Sequence, residues 1–306
     1  MRVFVTGVSG QLGHDVMNEL AKRGYEGIGS DIAPAYAGVQ DGSAVTAMPY
    51  VAMDITDAKA VHDTLMNIHP DVIVHCAAWT AVDMAEDDDK VAKVRAVNAG
   101  GTQNIANAAK ELDAKMVYIS TDYVFNGKGT APWQPDCKDY QPLNVYGKTK
   151  LEGELAVANT LQKYFIVRIA WVFGKNGKNF IKTMLRVGKT HDEVRVVNDQ
   201  IGTPTYTYDL ARLLVDMIET DKYGCYHATN EGICSWYEFA CQIFKEAHMN
   251  VKVQPVGSDA YPAKAKRPAN SRMDKSKLTE NGFKRLPTWQ DALRRYLEEL
   301  KEIESL

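Results

Sequence analysis

The N-terminal half of the chain alternates short apolar runs with longer amphipathic segments. Apolar runs predict β-strands, and segments with apolar residues three and four positions apart predict α-helices. The strands are predicted at residues 2–6, 26–30, 50–53, 72–76, 116–120 and 165–170, and the helices at 11–23, 58–67, 91–110 and 145–160. Strands that alternate with helices in this way form βαβ units. The pattern therefore predicts an α/β fold with a doubly wound parallel sheet.

After residue 171 the pattern becomes mixed. Helices are predicted at residues 179–188, 208–220, 236–248 and 289–303, strands at 195–197 and 226–228, and a Pro/Lys-rich loop at 261–268. These pieces predict a smaller C-terminal α/β lobe that binds the substrate and is interleaved with the large sheet. The dinucleotide-binding domain is predicted at 1–171 and 195–224, and the substrate-binding lobe at 172–194 and 225–306.

Composition excludes several classes of protein. With 306 residues and 45% apolar content, the chain has enough material for a substantial core. A net charge of −3 with dispersed basic residues argues against a nucleic-acid partner. Apolar runs are too short for a signal peptide or a membrane span, so we expect a cytoplasmic protein with no membrane partner. The five scattered cysteines form no C-x-x-C pair, and we predict no catalytic metal.

A glycine-rich loop follows the first predicted strand. In "VFVTGVSGQLG", Gly7 permits a tight turn, Gly10 lets the backbone approach a pyrophosphate, and Gly13 lets helix and strand pack closely. Gln11 and Leu12 open the following helix, whose free N–H groups attract an anion. The loop therefore predicts a dinucleotide-binding site.

Asp31 lies at the end of the second predicted strand. A carboxylate in this position accepts hydrogen bonds from the adenosine ribose and repels a 2′-phosphate. Residues 31–52 contain no arginine to offset that repulsion. The cofactor is therefore predicted to be NAD(P)H, with NAD favoured over NADP and NADP left possible.

A second cluster of candidate residues combines a phenol, an amine and two hydroxyls. Tyr146 and Lys150 are four positions apart, so they share one face of the predicted helix. The Lys150 ammonium group would stabilise the ionised phenol. Ser120 and Thr121 end a predicted strand at the carboxyl edge of the sheet, where such folds bind ligands. A hydroxyl there could hold a carbonyl oxygen while Tyr146 protonates it.

These motifs together resemble the extended short-chain dehydrogenase/reductases. More narrowly, "TGVSGQLG", "STDYVFNGKG", "YGKTKLEGE", "RIAWVFG" and "VVNDQIGTPT" look like the dTDP-4-dehydrorhamnose reductase group, and the resemblance runs from residue 1 to about residue 295. It implies that Thr121, Tyr146 and Lys150 are the catalytic residues. The implied reaction passes hydride from the nicotinamide to C4 of a nucleotide-linked 4-keto-6-deoxy sugar, with Tyr146 as the proton donor.

The resemblance also implies further binding residues. Cofactor contacts are implied for Asp54, Ile55, Ala77, Ala78, Trp79, Asn98, Ser120, Tyr146 and Lys150, and substrate contacts for Thr121, Val124, Phe125, Tyr146, Trp171 and Arg267. Two of these have ordinary structural alternatives. Trp171 would serve equally well as a packed core aromatic, and Arg267 as an exposed loop cation. Some members of the family are dimers bridged by magnesium, so Asp15 and Asp199 are candidate ligands, and both a monomer and a homodimer stay open.

Three other functions compete with the reductase. Nucleotide-sugar dehydratases carry Glu where this chain has Tyr123, which cannot act as their carboxylate acid or base. An epimerase of the same superfamily uses the same Tyr and Lys and stays an alternative. So does a non-catalytic regulatory subunit resembling that of methionine adenosyltransferase, because fold similarity does not fix function. We favour an NAD(P)H-dependent oxidoreductase.

Overall fold

A computed structural model describes residues 1–304. Thirteen strands are present in this range: β1 Arg2–Thr6, β2 Glu26–Asp31, β3 Tyr50–Ala52, β4 Val72–His75, β5 Lys115–Thr121, β6 Tyr164–Ile169, β7 Val172–Phe173, β8 Glu193–Val197, β9 Ile201–Gly202, β10 Thr205–Tyr206, β11 Gly224–His227, β12 Cys234–Ser235 and β13 Lys252–Val256. Ten α-helices accompany them: α1 Gln11–Lys22, α2 Ala58–Ile68, α3 Val91–Arg95, α4 Thr102–Glu111, α5 Val145–Thr160, α6 Phe180–Gly188, α7 Thr207–Ile218, α8 Trp236–Glu246, α9 Ser276–Glu280 and α10 Trp289–Glu304.

Seven of the strands form one sheet in the order β11-β6-β5-β4-β1-β2-β3. Every neighbouring pair in this sheet is parallel. The predicted doubly wound α/β fold is therefore confirmed. The chain reverses its direction of winding between β1 and β4, and in such sheets the carboxyl ends of the strands at this point leave a crevice for a ligand.

Apolar side chains cover both faces of the sheet. In β1, Val3 and Val5 point toward α1 and α7, whereas Phe4 points toward α2, α4 and α5. This alternation follows from the two-residue period of a strand, and burial on both faces explains why the central strands read as continuous apolar runs. The sheet is thereby held between two helical layers, and its carboxyl edge stays available to ligands.

One predicted helix is interrupted in the structure. The segment expected to be a single helix over 91–110 consists of α3, a π-helical turn at Ala96–Gly101 and α4. Such turns occur frequently at functional sites. Here the turn carries the buried Asn98, whose side chain hydrogen-bonds to the loop after β4.

The C-terminal part of the chain builds a separate aromatic core. Phe173, Tyr206, Phe239, Trp289 and Tyr296 pack together between α8, α10 and the short β7–β10 pair. Strands β8 and β13 form a small parallel sheet against α8, and the sequence patterns had predicted only the first of these strands. Strand β11 belongs to the large sheet and lies across the predicted boundary between 224 and 225. The division into two interleaved domains stays a prediction.

No helix within residues 1–304 combines the length and apolar character that crossing a bilayer requires.

Candidate functional site

A cavity of about 740 Å³ opens at the carboxyl edge of the large sheet, above the ends of β1, β2, β4 and β5. Its wall contains most of the residues that sequence patterns or the family resemblance singled out: Gly7, Gly10, Gln11, Leu12, Gly13, Asp31, Asp54, Ile55, Ala77, Ala78, Trp79, Ser120, Thr121, Tyr146, Lys150 and Trp171. Asn98, Val124, Phe125 and Arg267 are not on this wall. The structure thus brings together segments more than 150 residues apart.

The glycine loop forms one end of the cavity. Gly7 has a φ of 71°, and a Cβ atom there would lie 2.7 Å from the Ala77 nitrogen. A Cβ atom on Gly13 would lie 2.3 Å from the Gly7 carbonyl oxygen. Only glycine fits at these two positions, so the loop can fold tightly over β1. Gly10 then begins α1, and its first turn directs free N–H groups toward the cavity.

Asp31 lies at the end of β2, as predicted, and its carboxylate is already oriented by the backbone. It accepts hydrogen bonds from the Ser9 N–H at 3.0 Å and the Ile32 N–H at 2.8 Å. The neighbouring Ile32 side chain is 71% exposed and lines the cavity. Asp54 and Ile55 line the same region after β3. A fixed carboxylate beside an exposed apolar side chain suits a ribose and its base.

Asn98 lies behind the cavity wall and holds it in place. Its Oδ1 atom accepts a hydrogen bond from the Trp79 N–H at 2.7 Å, and its Nδ2 atom donates to the Trp79 carbonyl at 3.2 Å. The same amide donates to the Thr149 hydroxyl on α5 at 3.1 Å. Asn98 therefore connects the Ala77–Trp79 loop to the helix that carries Tyr146, and a direct cofactor contact by Asn98 stays a prediction.

Helix α5 carries Tyr146 and Lys150 into the cavity. The Asn144 side chain caps this helix by accepting from the Gly147 N–H at 2.8 Å. Farther along, the buried Glu154 carboxylate accepts two hydrogen bonds from Arg168 on β6, each of 2.8 Å. The Asn144 cap fixes the start of α5, and the Glu154–Arg168 ion pair attaches the helix to β6. Tyr146 and Lys150, which lie between these two points, therefore have a defined position.

Tyr146 and Thr121 line the same part of the cavity. Burial raises the pKa of Tyr146 above its ordinary value, the nearby Thr121 hydroxyl lowers it, and the Asp122 carboxylate raises it. The phenol is therefore protonated near neutral pH, which suits a proton donor.

Lys150 is buried and points toward the end of β5. Its ammonium group donates to the Ile119 carbonyl at 2.7 Å and lies 4.2 Å from the centre of the Tyr118 ring. Burial lowers the pKa of Lys150 to about 7, while Glu154 and Cys76 raise it. The influences on Tyr146 are burial, Thr121 and Asp122, so charge coupling between Lys150 and the phenol stays a prediction.

Aromatic side chains form a further part of the cavity wall, the aromatic wall. Trp171 and Trp236 stack with ring centroids 3.7 Å apart and planes 17° from parallel, and Phe180 and Phe239 continue the surface. Trp171 adopts a φ of 50°, an uncommon backbone conformation for a bulky residue. Its ring lines the cavity and also packs on other aromatic residues. The sequence had left open a residue at the ligand site or a packed core aromatic, and the position of Trp171 has features of both.

Three residues predicted to contact the substrate lie elsewhere. Val124 and Phe125 are fully buried, and Phe125 stacks on Trp133 with centroids 4.5 Å apart. Arg267 forms a bidentate ion pair with Asp83, with N–O distances of 3.1 and 2.6 Å. The arginine is therefore not an unpaired loop cation, because a carboxylate already engages its guanidinium. Substrate contacts by these three residues stay predictions.

Magnesium receives no support. Asp15 is buried and accepts a hydrogen bond from the Thr207 hydroxyl at 2.5 Å, whereas Asp199 accepts from the backbone and hydroxyl of Ser258. These two carboxylates are engaged with different neighbours. Within residues 1–304, no group of three or more His, Cys, Asp or Glu side chains is arranged to hold a metal ion.

Sequence reasoning missed several residues of the cavity wall. Trp236 was predicted only as a helical residue, although Ser235 and Glu238 form a capping box that marks it as the start of α8. Lys93 and Lys178 are exposed on the wall and supply positive charge, and no pattern in the sequence distinguished them from other lysines. Asp122, next to Thr121, was not among the predicted site residues.

The cavity fits a nicotinamide dinucleotide. Ser30 and Ser120 line it at separate strand ends, and both hydroxyls are buried without a hydrogen-bond partner within residues 1–304. Buried polar groups are normally satisfied, so unpaired hydroxyls on a cavity wall are suited to a polar ligand. Together with the glycine loop and the Asp31 carboxylate, they match the phosphate, ribose and amide groups of such a cofactor.

Comparisons with known proteins identify the family to which this site and fold are similar. The family described as RmlD substrate binding domain matches residues 1–302. The spore coat polysaccharide biosynthesis protein SpsK of Bacillus subtilis is 38% identical, covering 97% of each chain, and the dTDP-4-dehydrorhamnose reductase of Escherichia coli K12 is 37% identical, covering 98% of each. The crystal structure of dTDP-4-dehydrorhamnose reductase from Bacillus anthracis in complex with NADP has a TM-score of 0.88 at 40% identity, covering 97% of this chain and 99% of that one. Because these matches span nearly the whole chain, the protein belongs to the RmlD substrate binding domain family, and the resemblance inferred from its motifs is confirmed.

Proposed function

We propose that the protein is an NAD(P)H-dependent oxidoreductase that reduces the C4 ketone of a nucleotide-linked 4-keto-6-deoxy sugar, as a dTDP-4-dehydrorhamnose reductase. One observation carries this proposal. Thr121, Tyr146 and Lys150 line the same cavity as the glycine loop. A proton donor and a dinucleotide site therefore share one enclosed space. The names of the full-length relatives support the same reaction.

Different residues of the cavity have different roles in the proposed reaction. Gly7, Gly10 and the first turn of α1 would hold the pyrophosphate, and Asp31 the adenosine ribose. When bound, the dinucleotide supplies the hydride. Tyr146, protonated because burial raises its pKa, donates a proton to the ketone oxygen as that oxygen gains charge. Lys150 lies within the same pocket and would hold the nicotinamide ribose.

The aromatic wall suits the nucleotide part of the substrate. The stacked Trp171 and Trp236 offer a flat apolar surface to a base or sugar ring. The exposed Lys178 adds positive charge where the substrate and cofactor each carry a diphosphate. This arrangement supports a position of the sugar between the aromatic wall and Tyr146.

The preference between the two dinucleotides is a finer question. Asp31 favours NADH, since its carboxylate would repel a 2′-phosphate. The Bacillus anthracis relative binds NADP, and it is 40% identical to this chain. We propose that the protein uses a nicotinamide dinucleotide and that Asp31 shifts its preference toward NADH.

An absorbance assay tests the function directly. The protein is mixed with dTDP-4-keto-6-deoxy sugars and either NADH or NADPH, and the reduced-nicotinamide band is followed. We expect the band to disappear in proportion to the ketone consumed. An epimerase would need only a catalytic amount of dinucleotide, and a regulatory subunit would consume none, so either result would refute the proposal.

A further inference from the structure

Asp122 is a buried carboxyl group beside the reacting groups, and the mechanism above does not use it. It follows Thr121 in the turn after β5, is 3% exposed and lines the cavity. Its two oxygens have different partners. One accepts a hydrogen bond from the Thr121 hydroxyl at 3.1 Å, and the other accepts from the Ser271 hydroxyl on the C-terminal segment.

The hydrogen bonds of Thr121 limit what it can do. A hydroxyl has one hydrogen to donate and two positions that accept. In this structure the Thr121 hydroxyl donates to Asp122 and accepts from the Tyr123 N–H at 3.2 Å. While Asp122 is ionised, the Thr121 hydrogen is therefore directed to the carboxylate and is not free for a ketone oxygen bound beside Tyr146.

Protonation of Asp122 reverses the direction of the hydrogen bond between Thr121 and Asp122. A carboxylic acid donates a hydrogen bond, so the Thr121 oxygen would accept from Asp122 and from the Tyr123 N–H. Both acceptor positions are then filled. The Thr121 hydrogen is thereby freed to donate to a ketone oxygen bound beside Tyr146.

We propose that Asp122 is a positioning residue whose protonation turns the Thr121 hydroxyl from the carboxylate toward the ketone oxygen of the substrate, with Ser271 setting the pH at which this happens. This inference rests on the proposed ketone reduction. In the step itself, a hydronium ion of the solvent loses one proton to the Asp122 carboxylate, so that one of its O–H bonds breaks, an O–H bond forms on the carboxyl group and water is left. The hydride and the proton that reach the ketone are unchanged in number and source.

The surroundings place this protonation in an accessible pH range. Burial raises the pKa of Asp122 to about 6, and the hydrogen bonds from Ser271 and Thr121 oppose that rise. The titratable groups that face it are Tyr123 in its own turn and Tyr146 on α5. The positive charge of Arg267 lowers the pKa of Tyr123, and the Arg267 guanidinium itself is paired with the Asp83 carboxylate.

The sign of the pH effect follows from this arrangement. The protonated form of Asp122 is the active one, so kcat should be highest below the pKa of Asp122. It should fall about tenfold for each pH unit above it. Lys150, whose pKa is about 7, can add a second change in the same range. Variants of the Asp122–Ser271 pair distinguish the two, because Lys150 does not contact that pair.

The test is the pH dependence of kcat at saturating dinucleotide and 4-keto sugar nucleotide, measured for the full chain and two variants. In Asp122→Asn the side-chain amide donates to Thr121 at every pH, so the fall assigned to Asp122 should disappear. In Ser271→Ala one hydrogen bond to the carboxylate is lost, so the fall should move to higher pH by about one unit. Ser276→Ala is the matched control, since that hydroxyl bonds to Asp274 in a separate turn and the profile should not move.

Several outcomes would overturn the inference. They are an unmoved profile in both variants, or an Asp122→Asn protein that is folded but inactive at every pH. If Asp122→Asn does not fold, the shift in Ser271→Ala decides the question alone. Failure of the wild-type protein to consume reduced dinucleotide would instead refute the proposed reaction, so the two failures are distinguishable.

Discussion

The two walls of the cavity are built on different principles. The wall at the sheet edge consists of glycines, hydroxyls, a phenol and an amine; the tightest glycines leave no room for a side chain, and hydrogen bonds hold the cap of α5 and the Lys150 amine. The aromatic wall consists of rings from the β6–β7 connection, α6 and α8 that stack on one another. The wall at the sheet edge positions single atoms, whereas the aromatic wall provides a flat apolar contact surface.

This difference indicates how tolerant each wall is to change. A proton donor or a tight turn works only within a few tenths of an ångström, so the wall at the sheet edge should respond sharply to single substitutions. Stacked rings share their contact energy among several partners, so the aromatic wall should respond gradually. Three substitutions test this contrast, and a fourth tests the choice of dinucleotide.

The largest effect is expected for Tyr146→Phe at the sheet-edge wall. The variant keeps the ring and removes the proton donor, so kcat should fall by about 10²-fold or more. Steady-state kinetics with the keto sugar measure this. Tyr25→Phe is a control, because it removes a phenol bonded to Glu219 on the surface and should leave kcat unchanged. Full activity in Tyr146→Phe would show that the proton comes from another group.

Gly13→Ala should disturb the turn of the same wall. The added methyl group would lie 2.3 Å from the Gly7 carbonyl oxygen, so the loop must shift. Overpacking of this kind should lower the free energy of unfolding by about 1–3 kcal/mol and weaken dinucleotide binding. Denaturant unfolding and dinucleotide titration measure the two effects. Gly100→Ala is the control, since the nearest atom to its new methyl group would be 4.0 Å away. Equal stability of both variants would contradict the close-packing argument.

Trp236→Ala tests the aromatic wall. Loss of a ring that stacks on Trp171 should raise the KM for the nucleotide sugar by about tenfold and change the KM for the dinucleotide much less. Trp236→Phe should lie between the wild type and Ala, because part of the stacking area remains. If the variants change only the dinucleotide KM, the aromatic wall does not hold the substrate.

The smallest effect is expected for Asp31→Ala. The variant loses the acceptor for the adenosine ribose and also the repulsion toward a 2′-phosphate. The KM for NADH should rise by a few-fold, on the order of one hydrogen bond, and the KM for NADPH should rise less or fall. The ratio of kcat/KM for the two dinucleotides measures this shift. An unchanged ratio would mean that Asp31 does not select the cofactor.

Sequence patterns were most informative where backbone geometry restricts the choice of residue. The glycine loop and the end of β2 appeared where predicted, because a tight strand-to-helix turn leaves few alternatives to glycine. The helix expected over 91–110 was interrupted by a π-helical turn, which local periodicity does not reveal. Strand β13 was missed because its sequence KVQPV contains a proline and has no fully buried position, so no apolar run marks it as a strand.

The sequence by itself determined the parallel sheet, the glycine loop and the position of Tyr146 and Lys150 on one helix face. Strand and helix periods and the four-residue spacing are local properties of the chain. Only the tertiary structure decided that Arg267 pairs with Asp83, that Phe125 is buried against Trp133 and that Ser271 reaches Asp122. These contacts join residues far apart in the chain. They depend on how the C-terminal segments pack over the sheet, and no local pattern encodes that packing.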